Sequence, residues 1–277
     1  MAVKVHFYQH SSDLLQLDFV KINDPITVVC PDPSTADDLR FLLAHVYPGS
    51  SINVTTINQF ECQELRNWAP LEIFDQRKSK AEILMILGAT YKLYFPQGNI
   101  ENFLHAYKLF SELRSYSLDL QLCQEYLSLH PPAVQSVVSL FYRIMPEMKL
   151  LDEFSSYSYL SAIYRQDSET ENVQRRQIIF WNFKHLSALQ IDWLKAMGEI
   201  EDVFVPFPRE VFYHTQSTDW IYWLHPEKLE DLEEQSLVGH PGSYQLVSFH
   251  HGRLSESLKY FFDQQRVEVK DCSIVLV

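Results

Sequence analysis

Residues 26–60 read ITVVCPDPSTADDLRFLLAHVYPGSSINVTTINQF, and this stretch decides the fold class. Ile26–Cys30 is a compact run rich in β-branched residues that stops at Pro31, and Ile52–Thr56 is a second run of the same kind. Between them, Ser34-Thr35-Ala36-Asp37-Asp38 opens a helix with an N-cap and early acids, and Leu39, Leu42, Leu43 and Val46 form its apolar face. Strand, helix, strand at this spacing is a βαβ unit with a right-handed crossover, so the two strands run parallel.

Outward from that unit the pattern continues on both sides. Val3–Tyr8 alternates apolar and polar residues like an earlier strand. From about Glu61 to Arg165 the periodicity turns helical, with helices expected at Lys80–Tyr94, Ile100–Tyr116, Leu118–Leu129, Pro132–Met145 and Asp152–Tyr164. Their breaks fall at Pro96, Gly98, His130-Pro131-Pro132 and Pro146. Strand-type sequence returns at Gln177–Trp181, followed by a helix at Ser187–Met197 and a strand at Val203–Pro208. A helical stretch at Trp220–Leu232, a strand at Tyr244–Phe249, a helix at Ser255–Gln265 and the apolar run Cys272–Val277 complete the chain. A buried-type strand normally runs on into a loop, so this ending suggests the front piece of something longer. The expected organisation is an α/β domain built from residues 1–60 and 166–277, with residues 61–165 inserted as a helical subdomain.

Composition narrows the chemistry. Hydrophobic residues make up 46% of the 277 positions and charged residues 21%, which describes a folded chain. The net charge of −13 opposes general attraction to nucleic acid, so any contact with DNA must be a local patch or be shared with another subunit. Seven glycines are few against an average of about 7%. None precedes a lysine and no two are spaced Gly-x-Gly, so neither a Walker A loop nor a dinucleotide fingerprint is present. Cys30, Cys62, Cys123 and Cys272 are separated by long gaps, with no metal or redox spacing. The N-terminus MAVKVHFYQHSSD lacks a signal-peptide pattern, and no apolar run approaches a membrane span. A reduced, cytoplasmic protein without membrane contact is the expectation.

Candidate catalytic groups weigh little. His6 and His10 are four apart on strand-like sequence, where they stand well separated, and His250-His251 point to opposite faces of a strand. Pro31-Asp32 with Glu268-Val269-Lys270, and Glu147-Met148-Lys149, carry the letters of a two-metal nuclease motif but not its adjacent-strand arrangement. No Gly-x-Ser-x-Gly elbow or Cys-Gly context is present. Arg175-Arg176, and Arg77-Lys78 with Lys80, could meet phosphate, although a solvated loop is the simpler reading. The tryptophans fall mostly at core-like spacing, which favours packing over base stacking.

The segment order as a whole resembles a superfamily 1 helicase-type domain. In that family a strand ending in a proline leads into a helix with an arginine, and the next strand ends in a threonine-rich turn with a phenylalanine, as in residues 26–60. QIIFWNFKHLSALQIDWLKAMGEIEDVFVPFP (177–208) resembles the Walker B strand, the following helix with its glutamine, and the next strand; KLLDEFSSYSYLSAIY (149–164) and HGRLSESLKYFF (251–262) fit the same scheme. The chain is most similar to the AddB-type subunit of bacterial helicase-nucleases, a family with inactivated helicase regions, and more distantly to RecC. The resemblance implies a P-loop-NTPase-like α/β fold, helicase domain 1, with a parallel sheet flanked by helices and an inserted all-helical subdomain.

It also implies what has been lost. Where Gly-Lys-Thr should cradle phosphates stands Gln9-His10-Ser11-Ser12-Asp13, and an aspartate without a lysine repels a triphosphate. Where an Asp-Glu pair should hold Mg²⁺ stand Trp181-Asn182. The expected role is therefore non-catalytic, without a cofactor or metal: a DNA-repair domain that holds or channels single-stranded DNA and docks an AddA-like helicase subunit. The nuclease domain of the PD-(D/E)XK type would lie beyond this chain. By the resemblance Thr55, Thr56 and Phe60 sit where active relatives touch the single strand, with Arg175 and Arg176 as further candidates and Gln190 on the helix after the lost Walker B site. Strand-end capping is the alternative for Thr55 and Thr56. A pure protein-interaction module with no DNA contact of its own is the alternative for the whole chain.

Overall fold

A computed structural model describes residues 3–8, 25–167, 175–183 and 185–208. The expected elements after Pro208, and Gln9, His10, Ser11, Ser12 and Asp13, lie outside the described residues. Five strands, β1 (Lys4–Tyr8), β2 (Ile26–Cys30), β3 (Ile52–Thr56), β4 (Gln177–Phe180) and β5 (Asp202–Pro208), form one sheet in the order β1-β5-β4-β2-β3. Every pairing is parallel, with Val28 opposite Val54 on one side and Ile179 on the other. The described residues thus form an α/β fold with a five-stranded parallel sheet flanked by helices.

Helix α1 (Pro33–Val46) follows β2. Its N-cap is Asp32, not the Ser34 expected from sequence. Proline is favoured in the first helical position, where no N–H is needed, so Pro33 starts the helix two residues earlier and the Asp32 carboxylate takes the Thr35 N–H at 2.9 Å. Ala36, Leu39 and Leu43 face inward, whereas Leu42 and Val46 are 39% and 41% exposed. The buried stripe is therefore narrower than the four expected positions. It packs on Ile26, Val28, Cys30, Val54, Ile179 and Phe204, one face of the sheet.

Helix α2 (Ile57–Trp68) begins directly after β3, set by a capping box in which Thr56 and Gln59 satisfy each other's backbone N–H groups. A short turn α3 (Leu71–Phe74), then α4 (Lys80–Tyr94), α5 (Ile100–Tyr116), a 3₁₀ turn (Leu120–Cys123), α6 (Gln124–Ser128), α7 (Pro132–Glu147) and α8 (Glu153–Asp167) fill the stretch before β4. The single helix expected over 118–129 is instead this 3₁₀ turn and one short helix. The Asp119 side chain caps this turn by accepting the Gln121 N–H at 2.8 Å. Helix α7 also runs through Pro146 and stops at Lys149, which is left-handed with φ 51, while the Leu150 N–H reaches the Met145 carbonyl at 2.9 Å. Proline that near a helix end forfeits only one ladder bond.

The helical stretch carries its own core, in which Leu87, Ala106, Val138 and Phe141 are fully buried. The boundaries drawn at 60/61 and 165/166 fall inside α2 and α8. Both helices pack with α9 (Ala188–Ile200): Phe60 of α2 and Tyr157 of α8 lie 5.7 and 5.1 Å from the Trp193 ring. Trp193 also meets Phe180, which points to the opposite sheet face from Ile179, so α1 and α9 cover opposite faces.

Candidate functional site

In an open parallel sheet, ligand sites form at the carboxyl ends of adjacent strands whose chains leave in opposite directions. Here those strands are β2 and β4. The chain leaves β2 through α1 to the outer strand β3, and leaves β4 through α9 to β5, across opposite faces. The crevice between them is bordered by Cys30-Pro31-Asp32 and Trp181-Asn182-Phe183.

The chemistry of that crevice is subdued. Cys30 is fully buried, and burial, with the Asp32 charge beside it, pushes its thiol up to about 12, far from a reactive thiolate. Asp32 is held below the ordinary carboxylate range by the Thr35 N–H and then the Thr35 hydroxyl. One of its oxygens caps α1 while the other accepts from Thr35 Oγ1 at 2.8 Å. The Trp181 N–H extends the ladder to the Val29 carbonyl at 2.8 Å, and its half-buried ring joins the apolar cluster under α1. Asn182 is exposed and left-handed, φ 59, a conformation that asparagine tolerates better than most side chains. The crevice thus exposes the Asn182 amide. It offers no pair of free carboxylates among the described residues, and no group of three His, Cys, Asp or Glu there could hold a metal ion.

The five residues considered for DNA do not share one surface. Thr55 and Thr56 end β3 and are each 7% exposed. The Thr56 hydroxyl caps α2, and that of Thr55 lies 3.3 Å from Gln59 Oε1. Phe60 is 2% exposed, its ring edge-on to Phe180 at 6.1 Å. Arg175 and Arg176 precede β4, at the opposite end of the sheet. Five residues of strand put roughly 16 Å between Arg176 and Trp181. Gln190 completes a capping box with Ser187 and donates to the Tyr157 hydroxyl at 3.3 Å.

The sequence reading missed a set of buried carboxylates. Glu61 and Glu64 lie on the inward face of α2, both with no exposed surface. Arg176 gives Glu64 two hydrogen bonds of 2.8 Å and reaches Glu201 at 2.6 Å, while the Tyr164 hydroxyl donates to Glu64. Arg77 holds Glu61 through two bonds of 2.9 Å. Arg114 holds Asp152 at 2.7 and 2.8 Å, and Asp152 also accepts the Ser155 N–H. Two charged positions three apart beside Phe60 and Leu65, on a helix otherwise apolar on that side, were the available clue.

A second, shallow cleft lies between α2, the turn before α4 and the start of α8, lined by Asn58, Cys62, Arg77, Lys80 and Glu153. Burial raises the Glu153 carboxyl above its ordinary range against the opposing pull of Lys80 and Arg77. Burial and then the Glu61 charge push the Cys62 thiol up to about 11. No described helix is long and apolar enough to cross a membrane. No protein-family model matches the chain, and a search of curated proteins returns no match.

Proposed function

We propose that the chain is a non-catalytic, helicase-like α/β domain of an AddB-like DNA-repair protein, one that holds or channels a single strand and docks a helicase partner. The observation that carries this reading is the crevice at the ends of β2 and β4. It stands where an open parallel sheet places a ligand, yet β4 runs out into Trp181 and Asn182, and the Asp32 carboxylate is committed to capping α1. Neither tryptophan nor asparagine supplies the charge that holds Mg²⁺ in phosphoryl transfer. The helical stretch between β3 and β4, with its own core, agrees with the inserted subdomain of that family.

Two titrations test it. Calorimetry with Mg-ATP is expected to show no binding, and tight binding would overturn the non-catalytic assignment. Fluorescence anisotropy of labelled single-stranded DNA is expected to show weak, salt-sensitive binding, with a slope of about −0.7 per neutralised phosphate.

The second reading, a protein-interaction scaffold without DNA contact, is favoured by a specific observation. Arg77, Arg114 and Arg176 are engaged by buried carboxylates, on a chain whose net charge is −13. No DNA binding even at low salt would select it.

A further inference from the structure

The 3₁₀ turn and α6 present apolar side chains on two sides. Cys123 and Leu127 point inward and are 8% and 2% exposed. Leu122, Tyr126 and Leu129, spaced four and three apart, point outward and are 79%, 46% and 78% exposed. The inward pair joins the core of the helical stretch, whereas on the outward side Tyr126 meets the His130 ring edge-on at 5.5 Å and Leu122 and Leu129 stay exposed. Tyr116, at the end of α5, is 58% exposed as well. Single exposed apolar residues are ordinary, but a contiguous group of this size marks a contact surface.

Carboxylates surround it. Glu112 accepts from the Tyr126 hydroxyl at 3.3 Å, Asp119 begins the 3₁₀ turn, and Glu125 stands exposed beside Tyr126. Arg114 is turned away into its pair with Asp152, which leaves Lys108, one turn before Glu112, as the nearby cation on α5. This rim repels phosphates and anionic lipid headgroups, and attracts a positively charged protein surface.

We propose that this corner is a docking site for a cationic amphipathic helix of a partner protein, whose apolar face covers Leu122, Tyr126 and Leu129 while its lysines or arginines meet Glu112, Asp119 and Glu125. The proposal rests on the partner-docking half of the reading above and names the surface and the chemistry of what it accepts. The Mg-ATP and DNA titrations do not involve this corner, so failure there and failure here are distinguishable.

The test is fluorescence anisotropy of the whole chain with a labelled amphipathic Leu/Lys helical peptide, and with a Leu/Glu peptide of the same length as control. The Leu/Lys peptide binds, and added salt weakens it. The double variant L122S/L129S and the charge reversal Glu125→Lys each weaken it by about tenfold. Glu72→Lys, the same charge change on exposed α3, leaves it within about twofold, which separates this site from general attraction to an acidic chain. Both Leu122 and Leu129 are exposed, so circular dichroism of the double variant is expected to match the parent. Absent binding, equal binding of the Leu/Glu peptide, or equal weakening by Glu72→Lys and Glu125→Lys would overturn the proposal.

Discussion

Arg176 donates two hydrogen bonds of 2.8 Å to Glu64, a fully buried carboxylate that lies 112 positions away on α2. The same guanidinium holds Glu201, the residue just before β5, so one side chain joins α2 to the amino-terminal edge of two neighbouring strands. Opposing carboxylates keep Arg176 protonated well above the ordinary guanidinium range, despite the cost of burial.

Removing that cation leaves Glu64 without its guanidinium partner in the interior. Arg176→Met is therefore expected to cost about 3–5 kcal/mol, the range for breaking one side of a buried pair. Glu64→Gln is expected to cost less, because Arg176 is 39% exposed and keeps Glu201. The double variant is expected to be milder than the sum of the two. Urea unfolding of the three variants checks the order, and additive losses would show that the pair is not coupled.

Neighbouring carboxyls at the start of α8 are expected to respond to pH with opposite sign. Burial acts to raise Asp152, but the Arg114 and Ser155 contacts outweigh it and hold the carboxyl below its ordinary 3.8. Its stabilising effect is full above that value and fades as pH falls through the lower, folded-state pKa. Glu153 is raised by burial above its ordinary 4.5, so its ionisation on going from acid to neutral pH removes stability. Arg114→Met is expected to flatten the acid limb of the stability profile. Glu153→Gln is expected to stabilise at neutral pH and to match the parent below about pH 4. Thermal unfolding from pH 3 to pH 7 reads both effects, and a Glu153→Gln curve parallel to the parent would contradict the second.

Thr56 is an N-cap, and substitution should behave accordingly. Thr56→Ala is expected to cost about 1 kcal/mol and Thr56→Ser almost nothing, because serine keeps the hydroxyl that accepts the Gln59 N–H. A loss of single-strand binding in Thr56→Ser, with stability retained, would instead assign the residue a contact with DNA.

Two phenylalanines separate core from surface. Phe60→Ala empties a site bordered by Phe180 and Trp193 and is expected to cost about 3–5 kcal/mol. Phe41→Ser, at a position 81% exposed on α1, is expected to stay within about 0.5 kcal/mol of the parent. Equal effects would mean that α1 is covered by something packed against Phe41.

By itself the sequence determined the local grammar of the described region. The β-branched runs at 26–30 and 52–56 and the helical spacing over 100–116 write their own elements, because backbone propensity and side-chain periodicity act within a few residues. Proline at 131–132 and the turn around Gly98 likewise mark real helix ends. Local rules also compete, which is why Pro33 moved the start of α1 and Lys149 took the stop from Pro146. Only the tertiary structure decided that β5 lies between β1 and β4, and that Arg176 belongs to Glu64 and Glu201. An arginine in sequence is a charge seeking a partner. Whether it meets phosphate, water or a buried carboxylate depends on which distant segment the fold brings within 3 Å, a distance set by the packing of α2, α8 and α9 against the sheet.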